Sequence, residues 1–267
     1  METEIVTVTA KDVMTLRKKT GLGMMDCKNA LTQNDGDMAA AEEWIRAKRK
    51  GKMDTRTERT TGEGRIGIAI DQGKAVIVEV LTETDFTARN DTFVEMVTDI
   101  ANLAMEQNTG DVSATDAMTT RIDDIRIVTG ENAHFARGMR YDGGSFGQYV
   151  HHDGKRACLL QVAGDVPDDA LKGICQHIVF YDPTAISEAD VPSETLESIR
   201  TTAQTEAKAS GKNDEIAQKI ADGKVRKYLE ENTLLAQKYV LDETTTIGQL
   251  LPGGASITAF TRYTLGS

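Results

Sequence analysis

Ile66-Gly-Ile-Ala-Ile-Asp-Gln-Gly-Lys-Ala-Val-Ile-Val-Glu-Val80 decides how the rest of the chain is read. Ile66, Ile68 and Ile70 alternate, as they do on one face of a strand. Asp71-Gln-Gly-Lys74 supplies a turn, and Val76, Val78 and Val80 alternate in a return strand. A helix follows, with Phe93, Met96, Val97, Ile100 and Leu103 on one face. The pattern then returns. Phe146-Gly-Gln-Tyr-Val150 is a strand, Asp153-Gly-Lys155 a turn and Ala157-Cys-Leu-Leu-Gln-Val162 the return strand, and Leu171, Ile174, Cys175 and Ile178 mark a helix. A hairpin followed by a helix, twice, predicts an α+β fold with two similar halves.

Upstream, residues 9–50 read as three short helices. Thr9-Ala-Lys-Asp12 is a capping-box-like start, with Val13 and Leu16 on one face. Gly21 and Gly23 break that helix. The second runs from about Met24 to Gln33, with Cys27, Ala30 and Leu31 at helical spacing. Asn34-Asp-Gly-Asp37 is a turn ending in an N-cap, and the third helix turns Met38, Ala41, Trp44 and Ile45 inward. Three helices with so small a core fall below the size that is comfortably stable alone. From Lys48 to Gly64 the chain is charged and Thr-rich and reads as a linker. The basic run Lys48, Arg49, Lys50 and Lys52 reads as a solvated helix end, where cations suit the dipole, with a contact role as the second reading.

Residues 193–230 are rich in Glu, Lys, Ala, Gln and Ser, with sparse apolar residues (Leu196, Ile199, Ile216, Ile220) and an interruption at Gly211-Lys-Asn213. This predicts two long polar helices joined as an antiparallel hairpin. The tail, Thr246–Leu251 and Ile257–Tyr263, rejoins the second half, the latter as a strand.

Composition narrows the function. The 267 residues carry a formal net charge of -11, which disfavours direct binding to a phosphate backbone and suits a basic patch on a protein partner. Hydrophobic residues make up 39% and aromatics only 5%, so the cores must be aliphatic. Cys27, Cys158 and Cys175 form no close pair and lie among apolar residues, as buried thiols in a reducing compartment do. No apolar run approaches membrane-span length, and Met1-Glu-Thr-Glu4 carries acid where a targeting peptide carries base. The expectation is a cytoplasmic protein without membrane or nucleic-acid partners.

Thr20-Gly-Leu-Gly-Met-Met-Asp-Cys-Lys-Asn-Ala-Leu31 is the most specific motif. Met24 and Met25 open a helix side by side and cannot both face one small core, so one is expected at the surface, where a flexible, polarizable side chain suits docking. The segment closely resembles the N-terminal motif of the bacterial elongation factor Ts family, the guanine-nucleotide exchange factors of elongation factor Tu. Thr84-Asp85-Phe86-Thr87 resembles that family's Thr-Asp-Phe-Val motif, with Thr87 in place of Val. Tyr149-Val150-His151 resembles its Tyr-Ile-His motif, and Gly130-Glu-Asn132 and Gly248-Gln-Leu250 are further matching stretches. The resemblance spans nearly the whole chain. It implies a ubiquitin-associated-like fold for the three helices, a core of two similar subdomains, and a coiled-coil hairpin inserted into the second. The expected division is an N-terminal domain at 1–54, a core N-subdomain at 55–141, and a core C-subdomain at 142–267 with the hairpin at about 190–230.

Thr84–Thr87 falls between a buried strand and a helix, so it is expected to be an exposed loop. The alternative is Phe86 folded back onto its own core, as aromatics usually are. The corresponding segment of the second half, Ala163-Gly-Asp-Val-Pro-Asp168, has no aromatic, which favours function over packing. The resemblance implies that Phe86 inserts into the partner's GTPase domain near its bound magnesium, that Asp85 holds the loop by accepting hydrogen bonds, and that Thr84 and Thr87 flank them. It implies that Met24, Met25 and Asp26 dock a second face, and that His151 is a further contact, against the alternative of an exposed strand-end histidine. Two departures stand out. Asn213 replaces a common Pro in the hairpin turn, and the chain stops at Ser267 where some relatives carry a further helix, which is expected to leave the N-terminal bundle as the chief second contact.

The factor is expected to do no covalent chemistry and to need no cofactor. A His151/His152 metal site is excluded on the ground that adjacent strand residues point to opposite faces. Gly62-Glu-Gly-Arg-Ile-Gly67 matches a dinucleotide fingerprint literally but follows a polar linker and opens a strand instead of a helix. Gly143-Gly-Ser-Phe-Gly147 lacks the Lys and Ser/Thr of a phosphate loop and reads as a turn. The rival functions are a protein-binding tether built on the three helices without exchange activity, and a nucleotide-dependent enzyme built on Gly62–Gly67.

Overall fold

The computed structural model describes residues 8–53 and 58–267. It begins with α1 (Ala10–Thr20), α2 (Met24–Gln33) and α3 (Met38–Met53). Thr9 and Asp12 form the expected capping box, with the Thr9 hydroxyl donating to the Asp12 carboxylate at 2.6 Å. Gly21 ends α1 in the left-handed conformation, φ 68°. Val13, Leu16, Cys27, Ala30, Leu31, Ala41 and Ile45 are buried together, with Met38 and Trp44 packed beside them. Ile127, from α6 (Asp116–Thr129), completes this cluster. The basic run lies on a helix that continues to Met53, so the linker is shorter than the sequence suggests. The side chains of that run, and residues 54–57 of the linker, lie outside the described residues.

The chain divides into two compact units. The first holds the residues up to Ala69, Val78–Arg140 and Leu265–Ser267; the second holds Ile70–Ile77 and Tyr141–Thr264. The α+β reading is borne out. β1 (Glu63–Asp71) and β2 (Lys74–Thr82) form the hairpin and belong to a four-stranded sheet, order β1-β2-β4-β3, with β3 (Gly110–Asp111) and β4 (Ala133–Asp142). β2 is central, so Ala75–Val80 is buried on both faces rather than on one. Glu79 is the polar member of that run; its carboxylate accepts from Arg137 Nε at 2.5 Å and from Gly266 N at 2.7 Å. Gly64 crosses β2 with φ 152°, and a Cβ there would lie 2.2 Å from the Val80 carbonyl oxygen, so only glycine fits.

The second hairpin is β5 (Ser145–Val150) and β6 (Arg156–Ala163), extended by β9 (Ser256–Thr264) in the order β5-β6-β9. α7 (Asp168–Tyr181) packs on it, burying Leu171, Ile174, Cys175 and Ile178 against Cys158, Leu160 and Val162. Cys27, Cys158 and Cys175 are free and buried. A small hairpin of β7 (Lys238–Tyr239) and β8 (Asp242–Thr246) precedes α10 (Ile247–Leu250).

The polar segment forms the expected helical hairpin, α8 (Ser193–Ala209) with α9 (Asp214–Asn232). Its seam is built from small residues. Ala203, Ala207, Ala217, Ala221 and Val225 are buried, whereas Ile216 and Ile220 are exposed. Alanines let the two backbones approach closely, which the isoleucines would prevent. Asn213, at the position where the resemblance leads one to expect Pro, caps α9 by accepting from Ile216 N at 2.9 Å. Among the described residues no helix is long and apolar enough to cross a membrane.

Candidate functional site

Thr84–Thr87 is not a loop. It is the start of a short helix, α4 (Asp85–Arg89), with Thr84 as N-cap and its hydroxyl accepting from Thr87 N at 3.3 Å. The cap converts an expected loop into a helical turn. α5 (Asp91–Ala104) follows after Asn90, whose side chain caps it by accepting from Thr92 N at 2.9 Å. Phe93, Met96, Val97 and Ile100 of α5 are buried, at about 1.5–3 kcal/mol each as an upper estimate, and hold this corner in place.

Phe86 stands on the first turn of α4 and is 83% exposed, the most exposed large hydrophobic among the described residues. It does not fold back onto a core. Thr87 does; it is buried, so its loss of apolar surface relative to Val is felt inside the fold rather than beside Phe86. In the second half the segment after β6 forms no such helix, and its Val166 is buried.

What holds the turn is not chiefly Asp85. That carboxylate pairs with Arg89 one turn along, at 3.1 Å. The clamp is Glu131, which accepts from the Thr84 hydroxyl at 2.7 Å and the Thr84 backbone N–H at 3.1 Å. Glu131 also lies 3.2 Å from the Thr82 hydroxyl, and Asn132 N donates to Glu83 at 2.6 Å. Glu131 reaches this point because Gly130 ends α6 in the left-handed conformation, φ 74°. In the sequence Gly130-Glu-Asn132 stands only as a matching stretch, without a role; the signal for one is a helix-ending glycine followed at once by a carboxylate.

Met24 and Met25 open α2 after the N-cap Gly23. They are 48% and 68% exposed, so both face out, not one of two. The inward face of α2 is filled from Cys27 onward, and the first turn extends past it. Asp26 lies in that first turn, where a carboxylate complements the helix dipole.

His151 lies just after β5 in the turn to β6. Its Nδ1 is 2.9 Å from the Tyr149 hydroxyl and its backbone N–H donates to the Arg156 carbonyl at 2.8 Å. The His151 and His152 ring centroids are 4.3 Å apart, so the two side chains do not point to opposite faces as expected: the strand has ended and the turn brings both rings to one side. Among the described residues no group of three His, Cys, Asp or Glu side chains is placed to hold a metal ion. Gly62–Gly67 lies at and within the start of β1, with no helix opening from it, which removes the geometry of a dinucleotide site.

These features define an α+β protein with a three-helix N-terminal segment, two hairpin-and-helix halves and a helical pair. Comparison with known proteins gives the family. Residues 83–267 match the family model described as "Elongation factor TS", and residues 2–52 match "Elongation factor Ts, mitochondrial, N-terminal". The elongation factor Ts of Ruegeria sp. is 37% identical, over 97% of this chain and 92% of its own length. That of Sinorhizobium medicae is 38% identical, over 91% and 85%, and that of Polynucleobacter asymbioticus 37%, over 97% and 90%. The chain belongs to the elongation factor Ts family. It is a nucleotide exchange factor whose partner is elongation factor Tu, and it is not an enzyme.

Proposed function

We propose that the Thr84–Thr87 turn is the part of the chain that opens the nucleotide site of elongation factor Tu. Phe86 enters the partner's GTPase domain near its Mg²⁺, and Asp85, paired with Arg89, adds to the hold that Glu131 has on the turn. Disturbing the surroundings of Mg²⁺ removes charge neutralisation from the GDP phosphates and weakens their hold. By linkage, nucleotide then weakens the hold of the factor to the same degree, so a new nucleotide releases it. Met24, Met25 and Asp26 dock a second face of the same domain and supply affinity, and His151 is a contact from the second half. The observation that carries this reading is Phe86, 83% exposed on a turn whose backbone and cap are clamped by Glu131. A rigidly presented aromatic loses little conformational freedom on insertion.

This reading places the work in the cytoplasm, and the three free cysteines support a reducing compartment. It also keeps the division into an N-terminal domain at 1–54, a core N-subdomain at 55–141 and a core C-subdomain at 142–267. The test is the Mg²⁺ dependence of exchange. With Mg²⁺ chelated, spontaneous GDP release from the partner speeds up and the fold-acceleration by this chain shrinks several-fold. A fold-acceleration that is the same with and without Mg²⁺ contradicts the mechanism.

A further inference from the structure

The end of α7 carries a surface that the exchange reading does not use. Phe180 and Tyr181 are 70% and 43% exposed, with ring centroids 4.9 Å apart, edge to face. Two large aromatics left in water at a helix end forgo about 25 cal/mol per Å² of burial. Tyr181 also lines a cavity of about 400 Å³ whose charged members are Glu230 and Glu231 of α9 and Lys238 of β7.

The recess is preformed. Gln237 lines it, donates from Nε2 to the Glu231 carbonyl at 2.7 Å, and accepts from His177 Nε2 at 2.9 Å. His177 Nδ1 accepts from Val240 N at 3.2 Å, so Nε2 carries the hydrogen and both ring nitrogens of the neutral imidazole are used. The His177 and Tyr181 ring centroids are 4.8 Å apart, so the histidine backs the tyrosine. Burial lowers the His177 pKa and keeps positive charge away from the cavity wall. Glu231 lies 3.6 Å from Lys227 on its own helix, and Glu230 makes no ion pair among the described residues. The lining thus sets Tyr181 beside two carboxylates, one of them shared with Lys227, and one ammonium.

We propose that this aromatic, acidic recess is a docking site for an arginine side chain presented by a protein partner. A guanidinium is planar and weakly hydrated; it stacks on an aromatic face while its fork reaches a carboxylate, which a lysine ammonium cannot do at once. Leu241, 69% exposed in the turn between β7 and β8, follows the Val240 that His177 holds and lies three residues along the chain from Lys238 of the lining. The net charge of -11 favours approach of a basic segment.

The experiment is fluorescence anisotropy of the full chain with a labelled peptide of alternating leucine and arginine, and with its citrulline counterpart, which keeps the shape and loses the charge. The arginine peptide binds at least tenfold tighter than the citrulline peptide. Tyr181→Ser and the double change Glu230→Gln, Glu231→Gln each weaken it fivefold or more, with circular dichroism unchanged. The control pair Glu194→Gln, Glu206→Gln, which removes the same charge from exposed positions of α8, leaves it within twofold. Equal losses in the control pair would reduce the effect to general charge attraction and overturn the proposal. So would equal binding of the citrulline peptide, or sedimentation showing that a second copy of the chain already covers the patch through Tyr181.

Discussion

Glu131 sets the geometry of the turn that presents Phe86, and the two residues should behave in opposite ways. Glu131→Gln removes a charged acceptor shared by the Thr84 backbone, the Thr84 hydroxyl and the Thr82 hydroxyl. The expected cost is about 1–3 kcal/mol in urea unfolding, with slower exchange as a consequence. Phe86→Ala leaves stability within about 0.5 kcal/mol, because the ring is 83% exposed. Unfolding curves of the two variants side by side check this. His177 gives a pH dependence at the same scale. Its pKa is lowered in the fold by burial, although the hydrogen bond to Gln237 works the other way. The unfolded chain therefore takes up a proton first as pH falls below about 6.5, and stability drops from there down to the lowered folded pKa. Above that window its contribution is constant. His134, also lowered first by burial, shares the window, so His177→Gln should flatten the slope between about pH 7 and 5 without abolishing it.

Elements are legible where one period dominates the sequence. The hairpins, the capping box at Thr9, the α2 span and the apolar face of α5 all follow from spacing. β4 is not legible because Arg137 and Arg140 interrupt its apolar pattern. Both are satisfied by tertiary partners, Arg140 through the Met105 carbonyl at 2.8 Å and Arg137 through Glu79, and no local rule shows them. The helical pair is readable as helices but not for its seam. Large apolar residues attract attention in a polar segment, yet close packing of two helices selects Ala203, Ala207, Ala217 and Ala221. Ala221→Leu should therefore cost about 1–3 kcal/mol by overpacking, while Ile216→Ser costs less than about 0.5 kcal/mol. Thermal melts of the two variants in parallel decide which set forms the seam; a larger loss from Ile216→Ser would contradict the packing seen.

At the scale of the molecule, the two-half organisation and the family are both visible in the sequence, and the candidate site is legible in part. Thr84, Asp85, Phe86, Met24 and Met25 stand out because short motifs carry them. The clamp at Glu131 does not, because it is 47 residues from Thr84 in sequence. The core of the first three helices is likewise not self-contained, since Ile127 of α6 completes it. A peptide of residues 1–54 alone should melt without cooperativity by circular dichroism, whereas the same helices in the full chain should melt with the fold. Phe86 is the residue on which the exchange mechanism turns, and release of a fluorescent GDP analogue from elongation factor Tu reports on it. At saturating concentration of this chain, Phe86→Ala should lower the maximal release rate tenfold or more while binding stays within a few-fold of the unaltered chain. A maximal rate unchanged in Phe86→Ala would show that exchange is driven from another surface.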